Sequence, residues 1–431
     1  MALTRNTNLV TPSKVAKEAL LQFVNNLILS NKLDWSYSAE FQKESMKGGE
    51  SLTIKKPIAT TVYKNSFAYV ATVPYEPKSV LTIDQDRHVY LNFMDTDIAL
   101  AVDMDMFAEN FIKRMVTSLA NNIDAYVFET VVNNSFFSVG QYGTAITSDT
   151  ILAAKEILQS VGCPDDGDIF TVLNANQNRS LANSQLNYLN PTSMISEIYK
   201  SGLVGQFAGT EIYVANTAPT HVDGSVWNAG TRMQTAINTG ALSATNGNSV
   251  VWAESITITA DKATASKTIS AGDVFYLSGT AGTLNAVNPG SKSVLPFAQK
   301  FVVLTAVDST TAVGQTLVIS PAIITSGAYQ NVESVTGLYD LVPYTSGTNT
   351  RGQEGVMLHK KSVVIGTPKL YIPQGLDAAS GKAAARAEDD ITGAKIRYLR
   401  DFDFNSTDLK NRIDTIFGVK VIAPEWIVRI R

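Results

Sequence analysis

At 431 residues the chain is long enough for more than one hydrophobic core, because single cores stop growing near roughly 250–300 residues. Hydrophobic residues make up 45% and charged residues 17%, with 28 Gly and 14 Pro, a balance that excludes collagen-like and disordered classes. A formal net charge of −4 excludes wrapping of nucleic acid by the whole surface and leaves only weak, non-specific contact with DNA.

Residues 1–10 lack the basic region and apolar core of a secretory signal. The apolar stretch 19–29 is interrupted by Gln22, Asn25 and Asn26 and is too short to span a bilayer, so no membrane anchor is expected. Thr11 followed by Pro12 reads as an N-cap with proline at the first helical position. Val15, Ala19, Leu20, Phe23 and Leu27 then recur at helical spacing and predict an amphipathic helix over residues 12–31. The stripe fits either a core helix or an arm laid on another surface.

Gly48 and Gly49 open a stretch to Pro77 in which extended pieces at 51–55, 60–63 and 68–73 are separated by prolines and polar turns. Residues 80–84 and 89–93 read as the return strands, giving a long extended hairpin with little core of its own, suited to lying on a neighbouring subunit. The strongest helical signal covers 103–133, where Phe107, Phe111, Met115, Leu119, Ile123, Val127 and Val131 recur every fourth residue. Asp103, Asp105 and Glu109 near its start suit the helix dipole. Such a helix is about 45 Å long and reads as a spine.

A second helix is predicted at 148–158, a turn at 162–168, a buried strand at 169–173, and a hairpin or strand at 206–216. From about 220 to 331 the chain becomes rich in Thr, Ser, Ala and Gly. Short strands recur there at 249–253, 256–260, 273–277, 301–306 and 316–319, the pattern of a small inserted β-barrel or sandwich. The last part holds a charged helix-like or loop piece at 383–391, strands at 395–404 and 418–422, and an apolar end at 426–430.

Signatures of chemistry are sparse. Cys163 is the single cysteine, which rules out an internal disulfide and a four-thiol zinc site and fits a reducing, cytosolic folding compartment. His88, His221 and His359 lie far apart in sequence and read as isolated residues; HExxH, CxxC and GxSxG are absent. Gly375, Ser380, Gly381 and Lys382 miss the phosphate-loop spacing, and Ala383 stands where Ser or Thr would hold magnesium. The acids Asp165 and Asp166, Asp389 and Asp390, and Asp401 and Asp403 read as solvated turns.

The order of parts, an arm, an extended loop, a spine helix, an α+β core interrupted by a barrel, and closing strands, resembles the Hong Kong 97 capsid fold. The nearest resemblance is to short-tailed (P-22-type) phage coat proteins with an inserted domain. It is carried by LANNID at 119–124, AGDVF at 271–275 with LVISP at 317–321, and RID at 412–414 with FG at 417–418 and APE at 423–425.

The resemblance implies an α+β, Hong Kong 97-type fold divided into an N-terminal helical arm (1–40), an extended loop (41–80), the spine helix and first part of the core (81–219), an inserted β-barrel (220–331) and the second part of the core with C-terminal strands (332–431). It implies a major capsid protein, not an enzyme, that self-assembles as hexamers and pentamers into the icosahedral shell enclosing the double-stranded DNA of a tailed phage, in the host cytoplasm. Scaffolding and portal proteins are the expected partners, with no membrane, cofactor, catalytic or metal site. Candidate inter-subunit contacts are Lys47, Glu50, Lys55 and Lys56 on the loop, Lys113 and Arg114 on the spine, and Arg397 and Arg400 near the end. Two alternatives stand beside this reading: a tail or decoration component, and a glycan hydrolase with paired carboxylates among Asp84, Asp86, Asp95 and Asp97.

Overall fold

The computed structural model describes residues 12–38, 51–56, 76–94, 112–186, 205–227, 233–237, 244–246, 249–251, 253–260, 267–279, 282–309, 315–333, 337–344, 351–372, 383–389, 392–403 and 408–431. The chain divides into two compact units, Met1–Leu52 with Val80–Val127 and Val363–Lys420, and Thr53–Ser79 with Phe128–Ser362 and Val421–Arg431. No helix among the described residues is long and apolar enough to cross a membrane.

In the first unit, helix α1 spans Pro12–Asn26. It ends before residue 31, and the chain passes through Leu27 and Leu29 into a short 3-10 turn, Ser30–Lys32. Its buried face, Val15, Ala16, Ala19, Leu20 and Phe23, lies on two strands of its own chain, Ala383–Glu388 and Lys395–Asp403. Helix α2, Lys113–Asn134, occupies the later part of the helix expected at 103–133, and residues 103–111 of it lie outside the described residues. Met115, Val116, Leu119, Ala120, Ile123 and Val127 form its buried stripe, the 3–4 spacing that puts side chains on one helix face. Asp124 is buried on the same helix, and the Ser30 N–H and hydroxyl donate to its carboxylate at 2.9 and 2.8 Å.

The sheet of this unit runs Val363–Gly366, Asp408–Val421, Lys395–Asp403, Ala383–Glu388, with Gln85–Met94 also paired to the long strand Asp408–Val421. The register brings Arg397 opposite Asp414 and His88 opposite Asp414 from the other side. Residues 383–391, expected as a charged helix or loop, instead begin with a strand. Ala385 and Ala387 are buried while Arg386 and Glu388 face solvent, a period of two that pairing with Lys395–Asp403 imposes over alanine's helical preference.

In the second unit a mixed six-stranded sheet has the order Phe137–Val139, Ile427–Ile430, Gly355–His359, Ile169–Leu173, Thr210–Val214, Gln206–Phe207. Ile427–Ile430, Gly355–His359 and Ile169–Leu173 are buried along their whole length, as central strands covered on both faces must be. Helices α3, Ser148–Ser160, and α4, Ala175–Leu186, cover it. Ile151, Ala154, Leu158, Leu181 and Ala182 pack there with Phe137, Leu173, Met357 and Val428. Hydrophobic periodicity does not announce α4, because only Leu181 and Ala182 carry its apolar face, and its local signal is Asn174 followed by Gln177, whose side chains accept each other's backbone N–H at the helix start.

The same unit holds a seven-stranded antiparallel sheet ordered Ile256–Ala260, Gln315–Ser320, Lys300–Val303, Val274–Gly279, Gly337–Pro343, Met233–Ile237, with Gly282–Thr283 hairpinned onto Val274–Gly279. Its core is Phe275, Leu277, Phe301, Val303, Leu317, Ile319, Tyr339 and Leu341. The end strands Ile256–Ala260 and Met233–Ile237 approach within 8 Å between Cα atoms, yet no ladder joins them among the described residues, so the sheet is not a closed barrel.

Candidate assembly residues and a sealed ionic cluster

The last strand of the second unit carries Arg429 in an otherwise apolar run, and its register sets Arg429 opposite Val356, two residues after Glu354. Both side chains are fully buried, so they must satisfy each other. Arg429 donates through Nε and Nη2 to the two Glu354 oxygens at 2.5 and 2.6 Å, and its Nη1 donates to the Gly272 carbonyl at 2.6 Å. Arg431 Nε sits 3.1 Å from Glu354 Oε1, and its guanidinium lies 4.9 Å from the Tyr142 ring centroid. The Tyr142 hydroxyl donates to Glu354 as well. Burial pushes the Glu354 carboxyl up, and Arg429 and Arg431 outweigh it, taking it down to about 2. Burial and then the Glu354 charge push the Tyr142 phenol up.

A second layer adjoins these groups. His221 Nε2 lies 3.0 Å from Asp273 Oδ1 and 3.3 Å from Asp223 Oδ1. Asp273 Oδ2 accepts from the Gly224 N–H at 3.1 Å, the Trp227 Nε1 at 2.8 Å and the Ser270 N–H at 2.8 Å. Gly272, at φ +87°, admits this packing: a Cβ there would stand 2.5 Å from Asn133 Oδ1 and 3.1 Å from His221 Cε1. Burial lowers the His221 pKa, and its hydrogen bonds to Asp223 and Asp273 outweigh that and raise it. Three buried carboxylates, Glu354, Asp223 and Asp273, face two buried arginines, with His221 between Asp223 and Asp273.

His221 is therefore not isolated, nor is His359, whose Nε2 lies 2.9 Å from Asp166 Oδ1 while its Nδ1 accepts the Lys361 N–H at 3.2 Å. Sequence separation hid both groupings. Each brings a histidine and two carboxylates within 4.8 Å, Asp166, Asp168 and His359 in one and His221, Asp223 and Asp273 in the other. Neither set fits a metal ion. His359 Nδ1 is an acceptor, so Nε2 carries the proton and has no lone pair to give. His221 Nε2 faces two carboxylates at hydrogen-bond distance, an arrangement that an N–H donor satisfies, and Asp273 is already occupied by backbone and indole donors.

The first unit holds a comparable motif. Asp414, 1% exposed, receives Arg397 Nε at 3.0 Å and Nη2 at 2.6 Å, with Arg412 Nε at 3.1 Å. The Asp414 hydrogen bond, followed by its charge, raises the Arg397 pKa against burial. Arg397 Nη1 also donates to the Tyr371 carbonyl at 2.7 Å.

The residues expected at subunit contacts fall at separate places. Lys55 is exposed and pairs with Glu76 of its own hairpin at 2.7 Å, while the Lys56 N–H donates to the Pro77 carbonyl at 2.8 Å. Lys47 and Glu50 lie outside the described residues. Lys113 and Arg114 are exposed on the first turn of α2. Arg400 is half-buried, in register with Asn411 on one side and Ala383 on the other. Asp84 is exposed between Lys78–Thr82 and Gln85–Met94, Asp86 is exposed as the second residue of Gln85–Met94, and Asp95 and Asp97 lie outside the described residues. The buried cluster is the feature that sequence reasoning missed. Its one local signal is VRIR at 428–431, charges alternating with apolar residues where a fully buried strand was due.

A family model described as "P22 coat protein - gene protein 5" matches residues 85–428. Among solved structures, the chain is similar to one described as "Mycobacterium phage Che8", at 11% identity over 94% of this chain and 91% of that chain, with a TM-score of 0.48. It is also similar to "Capsid of Ralstonia phage GP4", at 7% identity over 90% and 85%, TM-score 0.43, and to "Capsid structure of the Cyanophage P-SCSP1u", at 10% identity over 94% and 87%, TM-score 0.42. No curated protein matches the chain by sequence.

Proposed function

The chain belongs to the P22 coat protein family and is a major capsid protein that forms the shell; from that premise we propose that many copies close an icosahedral container around the double-stranded DNA of a tailed phage. The observation that carries this is the family match across residues 85–428, which takes in α2, most of all three large sheets and the start of the last strand. In this reading the fold is of the Hong Kong 97 type. The inserted domain, expected over 220–331, would be built on the seven-stranded sheet, whose strands run from Met233 to Pro343.

Assembly, not catalysis, is the mechanism. A shell subunit needs a rigid body and many weak, geometrically defined contacts, since affinities that are individually too high freeze errors into the lattice. Sealed ion pairs and two sheet cores supply the rigid body. Lys55 and Lys56 on the extended loop, Lys113 and Arg114 on α2, and Arg397 and Arg400 on the sheet, together with Lys47 and Glu50, would supply subunit contacts. Scaffolding and portal proteins would guide closure in the host cytoplasm, and packaged DNA would be touched weakly and without sequence preference.

Co-expression with a candidate scaffolding protein, followed by velocity sedimentation, tests this reading. Fast-sedimenting particles containing this chain are expected, and Lys113→Glu with Arg114→Glu should shift material toward free subunits while leaving the circular dichroism of the subunit unchanged. Slow-sedimenting subunits under every condition would overturn it.

A further inference from the structure

The strand Arg351–Gln353 pairs with Thr220–Val222 at the edge of a cavity of about 350 Å³ in the second unit. Three arginines line it: Arg179 from α4, Arg351 from the strand and Arg431 from the sealed cluster. Its other polar side chains are neutral, chiefly Asn176, Gln177 and Ser180, and no acidic side chain lines it among the described residues. In a chain of net charge −4, the exposed Arg179 and Arg351 stand at one hollow without a carboxylate partner among the described residues, while the charge of Arg431 is already met by Glu354.

The walls are built, not incidental. Arg431 is 3% exposed, held by Glu354 at its Nε and by the faces of Tyr142 and Tyr344, with ring centroids at 4.9 and 5.9 Å. Gly352 has no Cβ to collide with the Tyr142 ring, which lies directly against it and closes one side. Gln177 is tied down from within, donating to the Ile430 carbonyl at 2.9 Å and accepting the Asn174 N–H at 3.2 Å. Arg179 donates to Asn176 Oδ1 at 3.0 Å and has no carboxylate partner among the described residues. Arg351 is exposed on its strand and likewise has none among them.

We propose that this cavity binds a phosphoryl group, that of inorganic phosphate, a mononucleotide or a nucleic-acid backbone. Guanidinium groups present paired N–H donors that match the oxygens of a phosphate, and Arg179 and Arg351, which have no carboxylate partner among the described residues, gain one when an anion enters. The volume exceeds a bare phosphate and leaves room for its water shell or a small organic body. The cavity belongs to the subunit and does not depend on the shell reading: a subunit that binds phosphate but never assembles would leave it standing.

Equilibrium dialysis of the full-length subunit against radiolabelled inorganic phosphate, at fixed ionic strength set with chloride, tests it. Saturable binding near one per chain is expected. Arg179→Gln with Arg351→Gln should weaken it about a hundredfold, roughly tenfold for each guanidinium removed. Both side chains are exposed, so the variant keeps its fold, which circular dichroism checks, and Lys17→Gln, at an exposed position on α1, should leave phosphate binding unchanged. Displacement of phosphate by a short oligodeoxynucleotide would identify a phosphodiester as the source. Persistence against the oligonucleotide with displacement by adenosine monophosphate would identify a small phosphate compound. No saturable binding, or binding that the double variant retains, would overturn the proposal.

Discussion

Each unit places one acid between two arginines, and the two places differ in what surrounds them. Glu354, with Arg429 and Arg431, is sealed, all three side chains being 0% exposed. Asp414 is just as buried at 1%, but Arg397 and Arg412 reach solvent at 18% and 39%. A charge pair in water-poor surroundings contributes little net stability when intact, yet it is costly to break, because the partner left behind cannot be resolvated. A half-open pair lets water take the vacated place. The sealed cluster should therefore fix the second unit's strands in one arrangement, while the open one tolerates adjustment at the sheet surface.

The largest effect should come from Glu354→Gln, which leaves two arginines buried against one neutral group. A loss of about 3–5 kcal/mol is expected, read as a lower urea midpoint, and a loss under about 1 kcal/mol would erase the distinction between the two sites. Asp414→Asn keeps the shape and removes the charge, and about 1.5–3 kcal/mol should go, since Arg397 and Arg412 can turn to solvent. If the two variants cost the same, exposure of the arginines is not what separates the sites. Gly352→Ala, which pushes a methyl against the Tyr142 ring beside the sealed cluster, should cost roughly 1–3 kcal/mol by overpacking. An unchanged thermal midpoint would show that Tyr142 can retreat.

These contrasts are only partly legible in the sequence, and the reason is range. The strand Ile169–Leu173 and helix α2 are readable because their patterns are local: a short apolar run in one case, a 3–4 repeat in the other. Strand Ile256–Ala260 is readable from its β-branched alternation. Ala383–Glu388 misleads because an alanine-rich, charged run favours a helix until α1 and the strand Lys395–Asp403 cover it. Helix α4 has too narrow an apolar face to register. The ionic cluster gathers Tyr142, His221, Asp273, Glu354 and Arg429 from across nearly 300 positions, and no local period links them. His221 and His359 look isolated in the sequence for the same reason.

The histidine offers a subtler way to sharpen the comparison. Its folded pKa lies above the ordinary 6.5, so protonated His221 contributes stability that is full below pH 6.5 and lost as pH rises through the folded value. The native chain should therefore lose stability on the alkaline side of that window, and His221→Gln should flatten the slope in denaturation curves taken across it. A slope that His221→Gln leaves intact would assign the pH response to another group. The smallest effect on the isolated subunit belongs to the exposed cations: Lys113→Ala or Arg114→Ala should change its stability by less than about 0.5 kcal/mol, so any loss of particles would report on contacts between copies.

The most direct test of the central claim is electron cryomicroscopy of particles formed by the purified full-length chain, alone and with a scaffolding protein. Closed shells in which this chain is the repeating subunit, with the sealed Glu354 cluster inside each copy, are the predicted result. A dispersed monomer at every concentration and in every mixture would contradict it.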